Sequence, residues 1–457
     1  MPEICHRVFD KTVKGFAGQL DDADWERLKA CMPHDIASEE DDKAVVKLEG
    51  KPNPIWLGKG ADPSMVSSFA GGEQLDYKQI NPDIVKSYDT HEVPYELWSL
   101  DRVDQTDLPL DGSFDPQYTG KGVTIYVVDS GIRTSHQEFS DVSTRTVEHG
   151  WDFVEDDGDV SDCDGHGSHV AGTAAGRGVG VAKDANIVGV RILVRYWLGA
   201  QSGCRSRTRP GFLGHSVGIA LYHPLTTLPP HSRFAFPRSM YCRQNCDGDG
   251  KVSDTIAALD WVAEHHKVNG GPAVIVMSLG IVGPTSGSKM LEQATRSLIE
   301  EYGVTVVVAA GNAQLDACTV SPANVRTAIT VAASDIPNKY EKNSGRPQQD
   351  VTYFWGNMGS CIDVFAPGVS IYSACGGAKR CTNLGDESYT MATGSSMAAP
   401  MVAGAAAVYL EAHPDASPAQ VKKAILSQGT DGMIDESYFT PELWLPGTPN
   451  KLLHVVS

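Results

Sequence analysis

The chain has 457 residues, of which 41% are hydrophobic and 21% charged, and it carries a formal net charge of -19. That balance describes a globular chain of two or three units, and its negative sign excludes nucleic acid and anionic membrane as partners, because like charges repel. Apolar runs fall short of the ~20 residues of a membrane span.

The start, MPEICHRVFDKTV, lacks the apolar stretch of a secretory signal, so export by another route or a start downstream of the true one is expected. Residues 1–43 mix apolar and charged positions and end in the acidic run Glu39–Asp42. Residues 44–95 contain Gly, Pro and Ser with little periodicity and read as a linker or processing region. From Gly122 the pattern changes. Short β-branched runs at Val123–Val128, Ile187–Val190, Ala273–Met277, Val304–Val308 and Ile329–Val331 alternate with helix-length segments. The segments are His169–Ala175, Ser253–His265, Leu291–Glu301, Ser396–Leu410 and Pro418–Leu426. Continuous apolar strands alternating with helices predict an α/β fold, with a mostly parallel sheet buried on both faces and its chemistry at the strands' carboxyl ends. This unit is expected over 96–435, with 436–457 as a tail packed against it.

Val194–Gln244 does not belong to the pattern. It holds seven arginines and no Asp or Glu, has no period of 2 or 3.6, and separates Ile187–Leu193 from Asn245–Asp249. Val194 is encoded by a codon beginning GT and Gln244 can be encoded by CAG, the bases expected at the two ends of an intron. The segment therefore reads as a basic surface insertion or as translated intron, which sequencing the mature transcript decides. The ten cysteines are unevenly spaced, without the short repeated intervals of a zinc module. Many fall in polar or Gly-rich loops, which favours an oxidising compartment.

Three residues form a candidate site. Asp129 ends an apolar strand and is followed by Ser130-Gly131, where a carboxylate can orient an imidazole. His166 lies among small residues in DGHGSHVAGT, ahead of a helix, and His169 reads as a packing residue of that helix because no third metal ligand is at helical spacing. Ser396, in GSSMAAP, starts another helix, where backbone N–H groups and the local positive potential favour a nucleophile and an oxyanion. Asn312, after Gly311, can donate to the same oxyanion. Singly these are a turn Asp, a helix cap and a turn Asn. Their order, Asp-His-Ser, separates the chain from the Ser-Asp-His hydrolases and from the His-Asp-Ser trypsin type.

The segments VVDSGI, DGHGSHVAGT, MSLG, VVVAAGN and TGSSMAAPMVAG resemble the signatures of the subtilisin-like serine proteases (subtilases), and most closely the proteinase K-like branch, over roughly residues 95–430. The resemblance implies the subtilisin-type doubly wound fold and serine endopeptidase chemistry. Asp129 would orient, His166 act as base then acid, Ser396 attack, and Asn312 complete the oxyanion hole. Ser168 and Ser395 stand where the family usually has Thr, which keeps the hydroxyl. Ser278-Leu279-Gly280 matches the strand that pairs with extended substrate, and Asp247–Ser253 resembles the facing edge. Asp247-Gly248-Asp249-Gly250 has part of the look of a calcium loop but lacks the distal Glu. The pocket walls, Ser278–Gly280 and Ala309–Gly311, which would bind substrate through Ser278, Leu279, Gly280, Ala310 and Gly311, carry no acid, which implies broad specificity with an apolar or aromatic P1 residue. Ile281 replaces a Gly common in the family.

VFDKTVKGFAGQLDDADWERL resembles the second half of an inhibitory propeptide, with no first half in this chain. The branch pairs cysteines as Cys163–Cys246, Cys318–Cys361 and Cys375–Cys381, leaving Cys5, Cys31, Cys204 and Cys242 unmatched. Asp363 matches a calcium-ligating position, to be joined by carbonyls of Arg326–Ala328. No cofactor is implied for the chemistry. A secreted or vacuolar-lysosomal monomer acting on polypeptides is implied, with the propeptide-like segment as its internal inhibitor. The alternative is a catalytically silent binding protein on the same fold, made so by the insertion and the shortened propeptide; reaction with a serine-directed phosphonate separates the two. A serine esterase or lipase fails on the order of the three residues.

Overall fold

The computed structural model describes residues 11–12, 97–140, 143–193, 250–281, 288–337, 339, 348–377, 385–438 and 444–455, together with the backbone of residues 5–9, 15–19, 36–41, 44–47, 217–222 and 249. The N-terminal strands are β1 (Cys5–Phe9), β2 (Gly15–Gln19), β3 (Ile36–Asp41) and β4 (Ala44–Lys47). After α1 (Trp98–Val103) come β5 (Thr124–Asp129), α2 (Gln137–Ser140), β6 (Val147–Asp152), α3 (His166–Ala175) and β7 (Asn186–Arg191). Then follow β8 (Val217–Tyr222), β9 (Asp249–Lys251), α4 (Val252–Asn269), β10 (Ala273–Met277), β11 (Leu279–Gly280), α5 (Lys289–Glu300) and β12 (Thr305–Ala309). The C-terminal part contains β13 (Ile329–Asp335), β14 (Asp350–Thr352), β15 (Val364–Pro367), β16 (Ile371–Ala374), β17 (Tyr389–Ala392), α6 (Ser395–Ala412) and α7 (Pro418–Gln428). It ends with β18 (Thr430–Asp431), β19 (Ile434–Asp435) and β20 (Lys451–Leu452).

Side-chain alternation explains why these strands are apolar throughout. On β5, Ile125 and Val127 enter the core shared with α3 and α6, whereas Tyr126 and Val128 enter the core shared with α4 and α5. Val274 and Val276 of β10 alternate with Ile275 and Met277 in the same way. With helices on both faces, a polar residue on either side of a central strand would be buried without a partner.

The central sheet runs β18-β20-β15-β13-β12-β10-β5-β7-β6, and neighbours from β15 to β6 are parallel. From β5 the chain goes to the outermost strand β6, returns to β7 beside β5, and then crosses to β10, β12, β13 and β15 on the other side. The order therefore reverses between β5 and β10, and ligands of doubly wound sheets bind at such a reversal, beyond the strands' carboxyl ends. Asp129 is the last residue of β5 and Ser278 follows the end of β10.

Several segments differ from the sequence reading. α3 begins at His166, three residues earlier than expected, because the glycine-rich start hides a helical turn. Val217–Tyr222, inside a stretch that shows no period, forms a strand between β2 and β3 in a separate sheet of order β1-β2-β8-β3. Ala44–Lys47, at the start of the expected linker, is also a strand. In the tail, β20 pairs with β15 and Trp444 stacks on Phe365 with ring centroids 5.7 Å apart.

The chain leaves the core after Leu193 and re-enters it at Gly250, at adjacent points. Leu193 forms an antiparallel bridge with Gly250, so close that a Cβ on Gly250 would lie 2.5 Å from the Ile192 carbonyl oxygen. Deleting 194–244 leaves residues 245–249 to turn between the bridged positions, a length suited to a hairpin loop. The deletion also removes β8 from between β2 and β3, so the four-stranded sheet is expected to be lost, whereas the central-sheet unit should keep a cooperative transition within about 3 °C of the full chain's in calorimetry; loss of that transition would show that the segment is part of its core.

Candidate active site

Two helix starts and two strand ends meet at the sheet reversal. His166 Nδ1 donates to Asp129 Oδ1 at 2.7 Å, and both side chains are buried. His166 Nε2 is buried without a hydrogen-bond partner among the described residues. α3 and α6 pack together so closely that a Cβ on Gly404 would lie 2.7 Å from the Ala174 carbonyl oxygen. Ser396, in the first turn of α6, donates from Oγ to the Ser278 carbonyl at 3.1 Å. Ser278 Oγ in turn donates to the Ser396 carbonyl at 2.8 Å.

Pro400 explains this reciprocal pair. In a regular helix the Ser396 carbonyl would accept from the N–H of residue 400, and proline has none. The orphaned carbonyl is buried, and the Ser278 hydroxyl satisfies it. A helix irregularity thus fastens Ser396 to the end of β10.

The start of α6 is also tied to the Gly311-Asn312 turn. Gly311 N donates to Ser395 Oγ at 3.0 Å, and Ser395 N donates to Asn312 Oδ1 at 2.9 Å. With its oxygen so engaged, the Asn312 amide keeps its NH2 end as the donor. Gly311 has a φ of +105°, and a Cβ there would lie 2.3 Å from Asn357 Nδ2. Asn357 holds the turn by donating to Ala310 O at 2.8 Å and accepting from Ala313 N and Leu315 N at 3.0 Å each. His169 matches its expected packing role: it is buried, with Nε2 bonded to Ile371 O at 2.9 Å.

The positioning group that sequence reading missed is Asp162. Its Oδ1 accepts from Ser130 Oγ at 2.9 Å, Asp164 N at 3.1 Å and Gly165 N at 2.8 Å. Its Oδ2 accepts from Ser168 N at 2.8 Å and Ser168 Oγ at 2.7 Å. The carboxyl is buried, and that burial pushes its pKa up against the pull of its donors. Ser130 Oγ also accepts from Gly167 N at 2.9 Å, and Ser168 Oγ from Arg133 N at 2.9 Å. One carboxylate thus joins the turn after Asp129 to the loop bearing His166. In the sequence it is one acid among many in Glu155–Asp164, and only the flanking Ser130 and Ser168 hydroxyls mark it.

Leu279–Gly280 forms an edge strand, as expected, and its partner is the chain itself. β4 pairs antiparallel with β11 (Gly280 opposite Val46) and, on its other side, with β9 (Val45 opposite Gly250). Ala310 and Ile281 are buried, and Ile281 N donates to Ser321 O at 3.0 Å.

Cys318 and Cys361 form the expected disulfide, with Cα atoms 5.1 Å apart. Cys163 and Cys375 are disulfide-bonded; Cys246 and Cys381 lie outside the described residues, as do Cys31, Cys204 and Cys242. The expectation for Asp363 needs correction. It does gather with the carbonyls of Arg326 and Ala328, but the cation among these oxygens is the Lys422 ammonium. The oxygens suit a cation, and Lys422 already supplies one.

Residues 120–439 match the Subtilase family, Peptidase S8. The chain belongs to the subtilase family. A cold-adapted subtilisin-like serine proteinase of known crystal structure shares 33% identity at a TM-score of 0.57, over 80% of this chain and 100% of that one. Sphericase, at 22% identity and a TM-score of 0.50, shares the fold. Among characterised relatives, the extracellular serine proteinase of Thermus sp. (strain Rt41A) is 38% identical over 76% of this subtilase and 65% of its own length. The alkaline serine exoprotease A of Vibrio alginolyticus is 34% identical over 86% of this chain and 57% of its own length. The match thus spans 57% and 65% of these two relatives.

Replacing Asp162 by Ala removes the acceptor of five hydrogen bonds, two of them from hydroxyls and three from backbone N–H groups. Asp162→Ala is expected to lower the thermal midpoint by roughly 5–10 °C. Asp162→Asn, which keeps one acceptor oxygen, is expected to lower it by less; calorimetry of the two variants at one scan rate checks the order.

Proposed function

We propose that this subtilase is a serine endopeptidase working through Asp129, His166 and Ser396. The observation that carries the reading is the 2.7 Å Asp129–His166 hydrogen bond, which leaves a buried, unpartnered Nε2 while Ser396 heads the helix packed against α3. When a peptide carbonyl arrives, Ser396 Oγ turns from Ser278 O to His166 Nε2. Its oxygen attacks the carbonyl carbon and its proton passes to Nε2. The carbonyl becomes an oxyanion held by the Ser396 N–H and the Asn312 amide. Asp129 holds the ring and stabilises the imidazolium. The C–N bond then breaks, the amine leaves with the proton from Nε2, and an ester remains on Ser396. Water attacks that ester with His166 as base, releasing the acid and restoring the serine.

Substrate would bind as an added strand between β11 and β9, the place where Ala44–Lys47 lies. The same pairing supports residues 1–43 and their continuation as an internal inhibitor, since one lane takes one strand. Disulfides and the extracellular relatives favour a secreted enzyme, acting as a monomer on polypeptides and needing no cofactor for the chemistry.

A serine-directed fluorophosphonate is expected to label the processed chain at Ser396, with loss of casein hydrolysis in step with labelling. Ser396→Ala should be unlabelled and at least about 10³-fold slower. A folded, processed chain that is neither labelled nor active would establish the silent binding protein instead. The pocket walls hold no acid, so anilide peptides with Phe at P1 should exceed those with Arg by about tenfold or more in kcat/KM. Equal rates would remove the apolar preference.

A further inference from the structure

The Lys422 side chain reaches from the second turn of α7 into a bowl of oxygen atoms. Its Nζ donates to Arg326 O at 2.9 Å, Ala328 O at 2.7 Å and Asp363 Oδ2 at 2.7 Å. An ammonium has three protons, and each has an acceptor here. The bowl is fixed independently of the lysine. Thr330 N donates to Asp363 Oδ2 at 2.9 Å, and Asp363 N returns a bond to Thr330 O at 2.9 Å. The Arg326 guanidinium is turned away from the bowl, with Nη2 on Ser360 Oγ at 3.1 Å.

Two carbonyls and one carboxylate oxygen are the donor types that a hard divalent cation takes. A divalent ion at bonding distance from all three would have to occupy the point that Nζ holds, and a cation beside Nζ would be repelled by it. The seat is thus built for a positive charge, and the chain brings its own.

We propose that Lys422 is a resident cation that replaces a structural divalent ion at this seat, closing the seam between α7, the 326–328 loop and the Asp363 loop without metal. Lys423, next along the helix and exposed, is the natural control. This inference is independent of the chemistry at Ser396, and its readout is stability.

The test is the thermal midpoint of protein carrying Ser396→Ala, scanned at one rate in chelator and in millimolar calcium. Lys422→Ser empties the seat and is expected to lower the midpoint in chelator by roughly 4–8 °C. Calcium should restore at least about half of that loss, beyond any calcium response of the unmodified protein. Adding Asp363→Asn to Lys422→Ser should abolish the recovery. Lys423→Ser should change neither the midpoint nor the calcium response. A Lys422→Ser variant as stable as the unmodified protein, or one with the same calcium increment, overturns the proposal. Should Lys422→Ser not fold, Lys422→Met is compared with Lys422→Met/Asp363→Leu, which removes both charges. A double variant more stable than the single supports the buried charge pairing, and one no more stable overturns it.

Discussion

One buried carboxylate holds the candidate site to the sheet. Asp162 collects donors from the turn that follows β5 and from the loop that precedes α3, segments about 30 residues apart. Charge-assisted hydrogen bonds of this kind offset the cost of burying the charge only when nearly every lone pair is used, and here both oxygens are shared among several donors. The bonds require the two backbones to approach closely. A Cβ on Gly167 would lie 2.1 Å from the Gly131 carbonyl oxygen, so no other residue fits there. That contact brings the backbones bearing Asp129 and His166 together, and the two side chains meet at 2.7 Å.

The second constraint works from the other side of the sheet reversal. Pro400 breaks the helical hydrogen-bond ladder at the carbonyl of Ser396, and the Ser278 hydroxyl fills the gap. Because Ser278 immediately precedes β11, Ser396 is tied to the start of that edge strand. Ser395 and Asn357 perform the same service for the Asn312 turn. The site is therefore assembled from helix starts and strand ends whose irregularities are mutually satisfied, which is how a rigid scaffold holds reactive groups in place.

How much of this was legible in the sequence depended on whether the signal was local. The apolar strands and the order Asp129, His166, Ser396 were legible because each motif carries its own strand or helix boundary. Asp162 was not, since it stands in an acid-rich run and its partners come from two other places in the chain. Pro400 was visible as part of a motif, but its effect on the Ser396 carbonyl needs the position of Ser278, over 100 residues away. Lys422 reads as an ordinary lysine on an amphipathic helix. Its capping box, with Ser417 N donating to Gln420 Oε1 at 2.8 Å, announces the helix but not the oxygens it faces. The strands Ala44–Lys47 and Val217–Tyr222 are short and flanked by irregular sequence, and both are defined by pairing rather than by pattern.

The surroundings of Asp363 show why a lysine suits the seat there. That region carries three short loops, and each is fastened to another by a different means. Cys318–Cys361 crosslinks the first and the last of them, Arg326 grips Ser360, and Lys422 draws α7 onto the 326–328 loop and Asp363. A metal ion would bind these oxygens more tightly than an ammonium, yet it must be found in the surroundings and can be lost to a chelator. A side-chain cation is held at high effective concentration by the helix that carries it, and the capped first turn of α7 fixes where it points. Its hold depends on the helix staying docked, so helix and loops are stabilised together or not at all. The result is a seam whose stability belongs to folding itself rather than to the calcium content of the medium.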